Sequence, residues 1–109
     1  MLHLKDHAVL LRKLAKARPK RRKEMVKTLS KDLLDTICEC ALNTLKGNVP
    51  LKKHQFTKLK RHRQSLRTLA KRSISRKRKH KILQRGGFLP LLLGPVISAL
   101  APIVGKIFS

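Results

Sequence analysis

The sequence predicts an all-α fold: a small helical body of three to four helices, followed by an apolar, Pro- and Gly-containing C-terminal tail. Three observations predict it. Apolar residues recur at three- and four-residue spacing through the first 70 residues. Helix-stop signals, Pro19 and Gly47-Asn48 with Pro50, divide that pattern. At Gly86-Gly87 the composition switches from basic to apolar. The organisation expected is an amphipathic helical region over 1–50, a highly basic helical region over 51–85, and a Gly-Gly hinge with a hydrophobic tail over 86–109.

The first helix is expected over 4–17, where Leu4, Ala8, Leu11, Leu14 and Ala15 repeat at helical spacing. Pro19 ends it and suits the first turn of the next helix. That next helix, over 20–46, carries the strongest pattern. Val26, Leu29, Leu33, Ile37, Cys40 and Thr44 trace one stripe, and Met25, Leu34, Cys38, Ala41, Leu42 and Leu45 widen it. So broad an apolar face requires partners on both sides. Residues 51–72 read as a helix with Phe56, Leu59, Leu66, Leu69 and Ala70 on one side. A short, nearly all-charged helix follows to about Gln84, capped by Ser73 or Ser75. Like charges at helical spacing make that segment self-repelling when free, and a phosphate backbone could order it.

Charge sets the functional reading. The chain has 28 Lys and Arg against five acids, a formal net charge of +23 over 109 residues. All the acids (Asp6, Glu24, Asp32, Asp35 and Glu39) precede Cys40, and 16 bases fall between Lys46 and Arg85. Such a surplus repels itself in a compact state and calls for an anionic partner. The candidate nucleic-acid-binding residues are Lys52, Lys53, Lys58, Lys60, Arg61, Arg63, Arg67, Lys71, Arg72, Arg76, Lys77, Arg78, Lys79, Lys81 and Arg85. On a helix, 60, 63, 67 and 71 share a side and could follow a phosphate ridge. Aromatics are few (Phe56, Phe88 and Phe108, with no Tyr or Trp), which disfavours a module that stacks single-stranded bases.

Other features point to less chemistry. Asp32, Asp35 and Glu39 share a helix side; pairing with the surplus bases of a neighbouring helix explains them better than a catalytic carboxylate site. Cys38 and Cys40 sit too close for an ordinary disulfide, and His3, His7, His54, His62 and His80 are scattered, so no metal, cofactor or nucleophile site is expected. An enzyme is the least supported class. Met1 to Leu14 lacks a signal-peptide layout, because Lys5, Asp6, Arg12 and Lys13 interrupt it, which favours a nuclear or cytoplasmic site of action. The runs Pro19–Lys23 and Arg76–Lys81 resemble nuclear-import signals. The 18 uncharged residues from Phe88 to Gly105 approach the length of a membrane span, but Pro90, Gly94, Pro95, Pro102 and Gly105 interrupt them. That tail is expected to meet a membrane or to pack inside an assembly with other proteins.

The basic run ending at Arg85, then Gly86-Gly87-Phe88-Leu89-Pro90-Leu91-Leu92-Leu93 and an apolar tail, resembles the precursors of adenovirus core protein X, or mu. The whole plan, including residues 41–51, looks like the related small basic proteins of Polinton- and adintovirus-type elements. The sharp part of the resemblance covers 76–105, about a quarter of the chain. It implies a virion core component that helps condense double-stranded DNA, in the virion and the host nucleus. It also implies cleavage by a viral cysteine protease after the Gly pair, between Gly87 and Phe88. Gln84 stands where that protease prefers Met, Ile or Leu, with Leu83 one step further out. The competing expectations are a membrane-active or membrane-anchored basic protein and a helical module that forms homo-oligomers.

Overall fold

The computed structural model describes the backbone of residues 4–85 and 87–108 and the side chains of residues 7–85 and 87–98. The described residues form seven helices and no strand: α1 (Leu4–Lys16), α2 (Pro19–Lys27), α3 (Lys31–Leu45), α4 (Lys53–Lys60), α5 (Arg63–Ala70), α6 (Arg76–Arg85) and α7 (Leu89–Phe108). The all-α expectation holds, and the expected three to four helices are too few. Two of the long helices read from the sequence are each broken, and the tail is itself helical.

The break in the second helix lies at Thr28–Ser30. The Thr28 and Leu29 amides close the last turn of α2 onto the Met25 and Val26 carbonyls. Ser30 then starts α3 as its N-cap, its hydroxyl accepting a hydrogen bond from the Leu33 amide at 3.1 Å. The stripe Val26, Leu29, Leu33 keeps helical spacing across this turn, so apolar periodicity hides it. At the other end the expected stop is in place. Gly47 takes φ 78°, its amide donates to the Thr44 carbonyl, and the Asn48 amide reaches back to Asn43. These bonds form a Schellman cap, which needs a left-handed residue that glycine supplies without strain.

The second break separates α4 from α5 at Arg61-His62, with neither Gly nor Pro to mark it. Its cause is tertiary. α4 packs against α7 whereas α5 packs along α3, so the chain must turn between two different partners. Gln55 steadies the start of α4 by accepting from the Lys52 amide at 2.9 Å. Phe56, expected in the apolar face, is 57% exposed. Of the two expected caps for α6, Ser75 is the one used: its hydroxyl accepts from the Arg78 amide at 3.2 Å.

α3 is the central helix. Leu33, Leu34, Thr36, Ile37, Cys38, Cys40 and Ala41 are all buried, and α1, α5 and α7 surround it. Its two-sided apolar face therefore has partners, as its breadth requires. The Thr36 hydroxyl, inside the core, donates to the Asp32 carbonyl at 2.9 Å and is not orphaned. One continuous core joins α3 to Leu11 and Leu14 of α1, Val26, Leu59, Leu66, Leu69 and Leu83.

The tail completes this core. Phe88, Leu89, Leu92, Leu93 and Val96 are each at most 1% exposed, and α7 makes its main packing contact with α1. Pro90 lies in the first turn of α7, where an amide has no intrahelical partner anyway. The helix runs on through Pro95, which is buried, and Pro102. Residues 88–96 of the tail pack against the chain's own body. Their apolar side chains close the chain's own core; the side chains of residues 99–109 lie outside the described residues. The radius of gyration, 13.1 Å, is that of a compact domain of this length with its tail folded in.

Candidate nucleic-acid interface

The fifteen candidate bases follow α4, α5 and α6 and the turns between them, and all are exposed except Lys79. The expected continuous row 60, 63, 67 and 71 does not form. α4 ends at Lys60, α5 begins at Arg63, and Lys71 is already extended beyond α5 with ψ 126°. What survives is a pair, Arg63 and Arg67, one turn apart on α5. Lys53 and Lys60 flank the exposed Phe56 at helical spacing on α4, Lys58 lies on another side of that helix, and Lys52 precedes it.

α6 has two charged faces with different surroundings. On its inner side Leu83 is 2% exposed and Lys79 8% exposed, an unusual burial for a lysine. On that side Arg76 Nη2 approaches Asp35 Oδ2 of α3 at 3.6 Å. Asp35, Glu39, Arg76 and Lys79 line one cleft of about 490 Å³ between α3, α5 and α6. The expected pairing of the α3 acids with a basic helix is therefore found at Asp35. Glu39 Oε2 is buried without a hydrogen-bond partner, and Asp32 stays exposed at the start of α3. Both half-exposed ends of the Asp35–Arg76 pair are open to solvent screening, so it contributes at most about 1 kcal/mol. On the outer side, Lys77, Arg78, Lys81 and Arg85 face solvent with no acid on the helix.

α2 lies against α6, an arrangement not visible in the sequence. The link is His80, whose ring Nδ1 meets the Val26 carbonyl at 3.2 Å across 54 residues of chain. The two runs that resemble import signals, Pro19–Lys23 and Arg76–Lys81, thus belong to neighbouring helices. Arg22 is taken out of the α2 surface: its guanidinium donates to the Leu14 carbonyl at 3.0 Å and to the Ala17 carbonyl, capping the end of α1. Arg12, Lys13 and Lys16 of α1 and Arg21 of α2 line a further cleft of about 410 Å³ whose walls hold no acid. The sequence marks α2 as a basic run, but its adjacency to α6 is a product of tertiary packing and has no local signal.

The thiols have no reactive setting. Burial, chiefly, pushes Cys40 up to about 12 and raises Cys38. Among the described residues no group of three His, Cys, Asp or Glu could hold a metal ion. Gly86 of the expected cleavage site lies outside the described residues. Gly87 is exposed and Phe88 is buried, with the His62 ring 5.5 Å from its own. Among the described residues no helix is long and apolar enough to cross a membrane. No family model, no curated protein and no solved structure matches the chain.

Proposed function

We propose that this chain is a non-enzymatic structural protein that binds and condenses double-stranded DNA by non-specific phosphate contacts, as a viral or virus-derived core component working in the virion and the host nucleus. The observation that carries this reading is the exposed cationic surface of residues 52–85. Every base there except Lys79 reaches solvent, and no acid interrupts them. Each phosphate neutralised by Lys or Arg releases condensed counterions, which gives affinity without base preference. α4, α5 and α6 carry one aromatic between them, the exposed Phe56, so stacking contributes little.

The fold adds the rigidity that a basic polypeptide lacks alone. The apolar tail, α3 and α1 build the core, and the core holds the basic helices outward. Cleavage between Gly87 and Phe88 requires the Phe88 side chain to leave the core, so a viral protease would act on an opened form. The membrane reading rests on the same tail, but Leu89, Leu92, Leu93 and Val96 have no free face for a bilayer while the core is closed.

A gel-shift series against salt tests the proposal. With six to ten phosphate contacts, affinity for an arbitrary duplex falls about 10³- to 10⁵-fold between about 50 and 200 mM salt. An affinity that hardly changes over that range would overturn charge contact as the mechanism. Release of dye from anionic vesicles by a protein that leaves duplex DNA uncompacted would favour the membrane reading instead.

A further inference from the structure

We propose that α2 is half of the duplex-binding surface, so that Lys20, Lys23 and Lys27 take phosphates of the same DNA segment as Lys77, Lys81 and Arg85 on α6. The inference rests on the duplex-binding reading above and adds to it a surface that residues 52–85 do not contain.

The two helices lie against each other and are tied by His80 and the Val26 carbonyl at 3.2 Å. Each buries one edge in the same core, through Val26 at 0% and Leu83 at 2% exposed. Two helices that touch and each bury an edge in one core leave adjoining faces open to solvent. On α2 that outer face carries Lys20 and Lys27 with the exposed Glu24 between them, and Lys23 lies at its edge. On α6 it carries Lys77, Lys81 and Arg85, at four-residue spacing. All six bases are exposed.

Dimensions favour one shared ligand. At about 1.5 Å rise per residue, the two rows are roughly 10 and 12 Å long. Packed helix axes stand about 8–10 Å apart. Duplex DNA presents one phosphate charge per ~1.7 Å of its axis, so a segment as long as these rows offers about seven. Six cations less the one acid Glu24, a net charge of +5, thus face a comparable number of phosphates. Charge gives the same direction. Two basic helices in contact repel each other when free, and α6 has no acid while α2 has only Glu24 to relieve this. A polyanion lying across both removes the repulsion, and the acid-free cleft of Arg12, Lys13, Lys16 and Arg21 extends the field beyond α2. Neither helix has an aromatic residue, so the surface suits stacked, paired DNA rather than splayed single strands.

The test uses the full chain and an arbitrary 30-base-pair duplex. The salt slope counts phosphate contacts at about 0.9 each, which separates contact from general attraction. Lys20→Gln/Lys23→Gln/Lys27→Gln is expected to flatten the slope by about 3 and to weaken binding at least tenfold at about 0.1 M salt. Lys77→Gln/Lys81→Gln/Arg85→Gln is expected to do the same. A second measurement, on the unaltered protein, is acetylation of its lysines with and without duplex. Lys20, Lys23 and Lys27 should become protected together with Lys77 and Lys81. An α2 variant that keeps the wild-type slope, or α2 lysines that stay as reactive with duplex as without it, overturns the shared surface. In that case a steep wild-type slope still leaves the duplex-binding reading standing. A flat wild-type slope removes both.

Discussion

α3 and α6 pack against one another's neighbourhood yet are opposite kinds of helix. α3 has 15 residues, seven of them buried, and is covered by α1, α5 and α7. α6 has 10 residues, buries Lys79 and Leu83, and turns Lys77, Arg78, Lys81 and Arg85 to solvent. The difference teaches that the core and the exposed cationic charge are carried by different segments of this chain. A charge of +23 is tolerable because an acid-bearing, largely apolar helix supplies the core while the bases stay where water and counterions reach them. α7 belongs with α3 in this division, although its sequence reads as an appendage.

The largest expected effect breaks the comparison on the core side. Ending the chain after Gly87 removes Phe88, Leu89, Leu92, Leu93 and Val96, all fully buried. At about 1.5–3 kcal/mol each, their loss amounts to roughly 10 kcal/mol, comparable to the whole stability of a small domain. The truncated chain should show no cooperative thermal transition by circular dichroism. Retention of a native-like melt would mean that α7 only rests on a body that is stable without it.

Next in size is a matched pair of substitutions. Ile37→Ala, at the buried centre of α3, should cost about 2–5 kcal/mol in chemical denaturation. Lys77→Gln/Lys81→Gln on α6 should change stability by about 0.5 kcal/mol or less while weakening duplex binding. Equal destabilisation by the two variants would abolish the division of labour.

A smaller effect sharpens the account of α3 itself. The Cys40 thiol is pushed from an ordinary 9.0 to about 12, mainly by burial. Between those values the unfolded chain has lost this proton and the folded chain still holds it. The stabilisation is therefore complete below pH 9 and is lost as pH rises towards 12, at up to ~1.4 kcal/mol per pH unit. Cys40→Ala lacks the thiol but keeps every lysine, so the stability gap between wild type and variant should narrow from pH 9 to 11. A gap independent of pH would mean that the thiol ionises in the folded state as easily as in the unfolded one.

The same division explains which parts were legible in the sequence. α1, the body of α3 and the stop at Gly47 are fixed by local signals: periodicity, and a left-handed residue where the chain must turn. The turn at Thr28–Ser30 had a local signal too, the Ser30 cap, but an apolar stripe in phase on both sides outweighed it. The break at Arg61-His62 had none, because it arises from α4 and α5 taking different partners. For the proposed binding surface, the bases of 52–85 were readable one by one from composition. Their grouping was not: the 60–71 row depended on a helix that is broken, and the neighbourhood of α2 and α6 depends on His80 meeting a carbonyl 54 residues away.

The smallest expected effect lies at the seam between the two kinds of helix. Asp35 and Arg76 are 3.6 Å apart, with side chains 51% and 53% exposed. Screening at that exposure leaves little stabilisation, so Asp35→Asn should lower stability by under about 1 kcal/mol. Its effect on binding should have the opposite sign. Without Asp35, Arg76 loses its carboxylate competitor, and the α6 surface gains one cation able to take a phosphate. Salt-dependent binding should then steepen by up to about 0.9, and affinity should rise rather than fall. A loss of affinity in a variant that melts like wild type would show instead that Asp35 positions Arg76 for its phosphate, making the seam part of the binding surface and not merely its attachment to the core.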